Sequence, residues 1–483
     1  MLLSYNGEKT FLPNLHTITW IEDVSVEGLL IALAPQSLER MRLSVPWETS
    51  TSHSQVAHLF SRLAVIAPEI RQMSIKWTAR VSQVEPLLSY VCLRRLALEC
   101  SVPPSPKDLR TLFSILQLES LRISVRGIMP LEVEEGYESP SLRALHCTGS
   151  CSDVTWVLSH LNAPFLRDLS LWTDETQAAY HFEHHQSLLA LVATATFVES
   201  LRALKYKSRL LGPYRTDEDC VPSDEEIVHM QIPARPLSEL LKPLFPAAQS
   251  GRLALEKLDI EYYWPIDITD GDIERLAYAF GNTLKSLRLN PKRPFVCHPH
   301  TPKSPTHMRA LRSLAEHCPH LERLQFDPQY DFVRMRDYLR NGYPSEEIAA
   351  ERAAGARSCL RMLLLDMMAD EKGKHPIVLA QFLHRLFPRL DVEASDREFT
   401  KSHEPGQSYW EDQDEDWSDL EAPISGARSD WRRLEQIWRR TLRNVRRLQL
   451  GEDIEKTWEE ERRRNQRSYD SLEVELAEPL LQL

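Results

Sequence analysis

Apolar residues recur along this chain in one short pattern, apolar-x-x-apolar-x-apolar. The last two positions lie two residues apart, as on one face of a strand. Nine copies are clear, among them Leu93-x-x-Leu96-x-Leu98, Leu118-x-x-Leu121-x-Ile123, Leu142-x-x-Leu145-x-Cys147, Leu166-x-x-Leu169-x-Leu171 and Leu255-x-x-Leu258-x-Ile260. Weaker copies open at Leu15, Leu38, Ile70 and Phe387, and a fourteenth reads Val445-x-x-Leu448-x-Leu450. From Met73 to Leu169 the middle anchors are 23, 25, 24 and 24 residues apart, and the longest step, Leu204 to Leu258, is 54. Between anchors the apolar period becomes helical, which predicts helices over 26–33, 56–66, 109–116, 154–161, 273–280 and 308–318.

Each unit is therefore a strand, a turn and a helix, with an apolar face that it cannot bury alone. Stacking about thirteen such units joins those faces into one core. The 23–25-residue steps match the leucine-rich repeat, whose period is about 20–29 residues. The reading is an α/β fold: an irregular leucine-rich-repeat solenoid with a parallel inner sheet, curved, followed by a C-terminal helix. The alternative, an ordinary doubly wound α/β domain, calls for glycine-rich turns and continuous Val/Ile strands. Glycine is scarce here, 15 in 483 residues or about 3%, against a usual share of about 7%. No phosphate-cradling G-x-G-x-x-G or G-x-x-x-x-G-K-[ST] occurs, and neither G-x-S-x-G nor H-E-x-x-H is found. Nucleotide-binding and hydrolase readings fall away, and the chain is expected not to be an enzyme.

The solenoid is expected over residues 1–395, with Pro-rich insertion loops at about 211–236 and 291–305. Residues 396–427 read as an acidic flexible insertion, because Glu411–Glu421 is dense in carboxylates and lacks a hydrophobic period. Residues 428–483 read as a helical segment closing the solenoid, with a possible last strand at 445–450. Trp431, Leu434, Trp438, Leu442 and Val445 make one apolar stripe of its helix, and the other faces are rich in arginine. That helix either covers the last repeat's core or binds a partner. The start of the chain has no signal-peptide pattern, no apolar run is long enough to span a bilayer, and the eight cysteines follow no framework spacing. These features predict a cytoplasmic or nuclear protein, monomeric, with neither membrane nor cofactor. The formal charge of −12 argues against nucleic acid, which selects basic surfaces.

Three stretches carry the family resemblance: Leu12-Pro13-Asn14-Leu15-His16-Thr17-Ile18-Thr19-Trp20, Phe60-Ser61-Arg62-Leu63-Ala64-Val65-Ile66-Ala67-Pro68, and His317-Cys318-Pro319-His320-Leu321-Glu322-Arg323-Leu324. They resemble repeats of fungal F-box proteins with irregular leucine-rich repeats, and the resemblance covers roughly residues 10–395. It implies the substrate-recognition part of an F-box-type ubiquitin ligase adaptor. An F-box itself has no room before the anchor at Leu15, so the resemblance implies either a truncated member, which would meet the ligase core only through an upstream F-box, or repeats that work without that ligase. The alternative function is a leucine-rich-repeat scaffold with no ubiquitin connection. Eight residues after the first leucine stand Ser101, Arg126, Ser150, Asp174, Lys292 and Gln329, never the Asn of extracellular repeats, which favours the irregular intracellular type.

Residues flanking the anchors alternate outward. In the first eight units those positions carry seven Lys or Arg and two acids. The candidate partner-binding set is Arg40, Arg42, Lys76, Arg95, Arg122, Lys205 and Lys207, with Trp172 as aromatic anchor, suited to an acidic segment of another protein. The alternative is a charged face that merely solvates the sheet. His181-Phe182-Glu183-His184-His185, Cys147-x-x-x-Cys151 and Cys297-His298-x-His300 lack ligand pairs at recognised zinc spacing, so no metal site is expected.

Overall fold

The computed structural model describes residues 12–21, 33–45, 53–77, 84–100, 103–127, 136–176, 181–211, 235–262, 266–291, 308–326, 345–365, 376–403 and 427–451. The chain divides into two compact units. One is Met1–Asp267 with Leu289–Lys303, and the other is Ile268–Arg288 with Ser304–Leu483. In a stack each repeat touches only its neighbours, so cohesion is local and a chain of this kind can separate into more than one compact body.

In the first unit the anchors fall on β1 (Thr17–Ile21), β2 (Arg40–Val45), β3 (Gln72–Trp77), β4 (Arg95–Cys100), β5 (Ser120–Ser124), β6 (Ala144–Gly149), β7 (Asp168–Thr176), β8 (Ala203–Leu211) and β9 (Lys257–Tyr262). Each pairs in parallel with the next, and equivalent anchors stand opposite one another: Met41 with Met73, Leu96 with Leu121, Leu145 with Leu169, Leu204 with Leu258. That register aligns the anchors in columns whose members are almost fully buried. On the buried side lie α1 (His53–Ile66), α2 (Pro106–Phe113), α3 (Cys151–His160) and α4 (Phe182–Thr194). The second unit holds α5 (Asp270–Phe280), β10 (Ser286–Pro291, which straddles the division), α6 (Met308–His317), β11 (Arg323–Phe326), α7 (Ser345–Arg357), β12 (Met362–Leu365), α8 (Pro376–Leu386), α9 (Val392–His403) and α10 (Ala427–Gln449). Strand, turn and helix thus alternate as an irregular α/β leucine-rich-repeat solenoid. Among the described residues no helix is long and apolar enough to cross a membrane.

Local chemistry starts these helices. Ser105 and Asp108, Ser150 and Asp153, and Thr269 and Asp272 form reciprocal capping boxes at α2, α3 and α5. Each satisfies two backbone N–H groups that the first turn leaves without partners. Successive helices then pack side by side: α3 on α4, and α5 on α6, α6 on α7 and α7 on α8.

Three expectations near the C-terminus are corrected. Residues 445–450 form no strand: Val445 and Leu448, three residues apart, share one face of α10, while Leu450 lies past its end and is exposed. Val392 is not a strand anchor but the first residue of α9. The segment 396–427 is not loop throughout, since α9 runs to His403. Both helices pack together and on their neighbours: α10 lies against α8 and α9, with Trp438, Leu442 and Val445 buried. The insertions at 211–236 and 291–305 and the acidic Glu411–Glu421 lie outside the described residues apart from the edges of the two loops, where Leu211 and Pro291 end strands and Arg235–Pro236 forms a two-residue strand. The helix expected over 26–33 also lies outside them, except its last residue.

Candidate functional site

The sheet face opposite the helices is built in rows set by the strand register. One row runs Arg42, Ser74, Ala97, Arg122, His146, Ser170, Lys205, Asp259 across β2 to β9. The next brings Thr148, Trp172, Lys207 and Glu261 side by side. Their centre is the half-buried indole of Trp172. Lys207 Nζ stands 5.0 Å from its ring centre, and Arg122 and Lys205 each stand at 5.9 Å. The His146 ring meets the indole edge-on at 4.6 Å. A flat aromatic ringed by cations is stabilised by its quadrupole, the more so where water is excluded.

Those cations are not bare. Arg122 pairs with Glu99 at 3.1 Å, Lys205 with Asp259 at 3.7 Å, and Lys207 with Glu261 at 3.1 Å. The last pair is deeply buried, its side chains 4% and 7% exposed. Asp259 and Glu261 lie 54 residues beyond Lys205 and Lys207 in sequence yet stand on the adjacent strand. Summing charges by chain segment separates partners that the parallel ladder joins. The structure therefore divides the eight expected residues. Arg122, Trp172, Lys205 and Lys207 converge on one charge-compensated aromatic cluster. Arg40, Arg42, Lys76 and Arg95 lie on β2 to β4, apart from it. Among the described residues Arg40, Arg42 and Arg95 make no ion pair.

His146, absent from the expected set, is the member whose charge state is most constrained. Burial, then Arg122, Lys205 and Lys207, push its pKa down from 6.5 to about 3. The ring stays neutral in the fold, whereas the unfolded chain takes up its proton below about pH 6.5. Its contribution to stability is thus fully present above that pH and is lost as pH falls toward 3. His146→Phe keeps the contact with Trp172 and is expected to flatten the decline of denaturant stability between about pH 6.5 and pH 4. An unchanged slope would show that the folded ring titrates like a solvated one.

The remaining candidate chemistry is dispersed. His185 points into the core, its Nδ1 bonded to the Tyr206 hydroxyl and its pKa pushed down to about 3 by burial, so it is turned away from His181 and His184, whose rings lie 4.9 Å apart. Cys147 and Cys151 are buried free thiols; burial raises both pKa values, that of Cys151 to about 12. A thiol held protonated is a poor nucleophile and a poor metal ligand. Cys297, His298 and His300 lie outside the described residues. Among the described residues no group of three or more His, Cys, Asp or Glu is placed to hold a metal ion. Toward the end of β7, Asp174 pairs with Arg126, and the Glu175 carboxylate accepts the Cys151 N–H at the start of α3. These contacts tie the start of α3 to β7.

The fold and this face define a class, a leucine-rich-repeat chain whose strand surface carries aromatic and charged side chains. Two solved structures of similar kind are a complex of TLR13 with ssRNA13 and the plant peptide hormone receptor RGFR1 in complex with RGF2. The first is 12% identical with a TM-score of 0.31, over 74% of this chain and 52% of that one. The second is 11% identical with a TM-score of 0.29, over 77% and 51%. The chain spans about half the length of each. No family model matches the sequence, and no curated protein matches it.

Proposed function

We propose that this chain is a protein-interaction module that holds a partner on the outward face of its sheet and catalyses nothing itself. The observation that carries the reading is the set of side chains on that face: arginines on β2 and β4 that make no ion pair among the described residues, and, farther along the same face, a partly exposed tryptophan ringed by cations. Arginine and tryptophan are the side chains that most often dominate binding energy at interfaces. The partner is an acidic protein segment, bound by Arg40, Arg42, Lys76 and Arg95, with the Trp172 cluster giving the apolar anchor. In the finer reading the chain is the substrate-recognition part of an F-box-type ubiquitin ligase adaptor. What supports that reading is the resemblance of the repeats at Leu12–Trp20 and His317–Leu324 to that family. The site of action is then intracellular, with the protein a monomer.

Affinity capture with quantitative mass spectrometry tests both levels. Arg42→Glu combined with Arg95→Glu is expected to deplete the captured partner at least about tenfold, the loss of roughly 1.4 kcal/mol of binding. Unchanged capture by the double variant removes the outward-face reading. Absence of cullin-ligase subunits from the proteins captured by the full-length gene product removes the adaptor reading and leaves a scaffold.

A further inference from the structure

A second surface lies at the mouths of the strands. The residue after the first leucine of each unit donates its backbone N–H to the carbonyl of the equivalent residue one unit earlier. The bonds run from Arg71 to Glu39, Arg94 to Arg71, Glu119 to Arg94, Arg143 to Glu119, Arg167 to Arg143 and Arg202 to Arg167, all at 2.7–2.9 Å. The seven residues so linked are five arginines, Glu39 and Glu119, and Glu256 continues the ladder by donating to Arg202. Parallel strands lie about 4.8 Å apart, so these side chains stand one strand spacing from one another.

Like charges directly opposite each other across strands are destabilising. On the outward face three cations have carboxylate partners. On this edge Glu119 pairs only with Arg94, at 3.3 Å. Arg202 turns back onto the carbonyls of Glu199 and Leu201. Arg71, Arg143 and Arg167 are exposed and, among the described residues, make no ion pair. Two or three residues upstream of Arg94, Glu119 and Arg167, in the turns that lead into the strands, Val91, Leu116 and Phe165 are 64%, 76% and 59% exposed. A row of repelling cations and a row of exposed apolar side chains therefore run side by side along one edge.

We infer that this edge is a docking surface for an acidic amphipathic α-helix of another protein. A helix presents successive turns about 5.4 Å apart, close to the strand spacing, so carboxylates one turn apart meet Arg143 and Arg167 on successive rungs. An extended peptide presents same-face side chains about 6.6 Å apart and falls out of step within a few rungs. The apolar stripe of the helix covers Val91, Leu116 and Phe165. Nucleic acid fits less well: two of these three side chains are aliphatic and offer no stacking platform, and the chain carries a net charge of −12. This surface is separate from the outward face, so the two readings stand or fall independently.

The test is fluorescence anisotropy with the full chain and a synthetic helical peptide. The peptide is about five turns long, with Glu on successive turns beside a Leu/Phe stripe, and a scrambled peptide of the same composition is the control. The helical peptide is expected to bind at least about tenfold tighter than the scramble. Arg143→Glu with Arg167→Glu is expected to abolish that preference, and Leu116→Ser with Phe165→Ser to weaken binding severalfold. Arg42→Glu with Arg95→Glu leaves it unchanged. Arg143→Gln with Arg167→Gln, which removes charge without reversing it, serves if the reversal does not fold. Equal binding of helix and scramble, no binding at all, binding indifferent to the edge variants, or tighter binding of a single-stranded RNA oligomer would each overturn the proposal.

Discussion

Gly355→Ala is expected to destabilise the second unit by about 3 kcal/mol or more, the upper range for forcing extra atoms into a closed space. Gly355 lies in the last turn of α7, where the chain meets the last turn of α8. A Cβ there would stand 1.9 Å from the Arg385 carbonyl oxygen and 3.1 Å from that of Leu386. Both obstacles are backbone, and the Arg385 side chain is itself held by buried Glu351, so the helix end has little freedom to retreat. Gly281 repeats the device one helix pair earlier. Its Cβ would meet the His317 carbonyl oxygen at the end of α6 at 2.1 Å. Ala is the better helix former, so on intrinsic propensity alone the substitution in α7 would stabilise by up to about 1 kcal/mol. Opposite signs from propensity and from packing make the measurement decisive. Chemical denaturation of the full chain checks it, read in the transition of the second unit. A midpoint that is unchanged or raised shows that α7 and α8 stand further apart than described here.

These glycines also show what a sequence of this kind discloses. The strands were legible because β2 to β9 are specified by local repetition, and each anchor column is the same residue class stacked on itself. The scarcity of glycine was legible too, as an argument against phosphate-binding turns. The use of particular glycines was not, because Gly281 and Gly355 matter through carbonyls 36 and 30 residues away that no spacing rule connects to them. The site divides the same way. Period-two alternation placed Arg122, Trp172, Lys205 and Lys207 on one face. It was silent on Asp259 and Glu261 as their partners, since the 54-residue step breaks the register that the shorter repeats establish. His146 is invisible to a pattern of charge because its ring is neutral, and only the register that sets it beside Trp172 brings it into the cluster. At the C-terminus Val445 and Leu448, three residues apart, fit a helix face as well as the opening of a repeat, and the packing of α10 on α8 and α9 decides between them.

Lys207→Met is expected to destabilise the first unit by about 3–5 kcal/mol, while Lys207→Met combined with Glu261→Leu restores most of that loss. The single change leaves the Glu261 carboxylate almost fully buried without the ammonium that faced it at 3.1 Å. Its charge then loses that ammonium in a medium of low polarisability, which favours taking up a proton or drawing in water. The double change removes both desolvated charges and puts apolar volume in their place, a replacement that is often neutral or stabilising. Two other effects bear on the outcome. Lys207 also stands 5.0 Å from the Trp172 ring centre, and losing that contact costs about 1–2 kcal/mol in a desolvated setting, which the double variant does not recover. His146 loses one of the cations that depress its pKa, so its proton affinity rises and the acid limb of stability shifts toward that of an ordinary histidine. A double-mutant cycle measured by denaturation at neutral pH separates these contributions, because the coupling energy isolates the Lys207–Glu261 term. Strong coupling makes the pair the element that locks β8 to β9 across the long insertion, and so holds the tryptophan in place to meet a partner. Coupling near zero would mean that water reaches both groups, and that the Trp172 cluster is held by its aromatic packing alone.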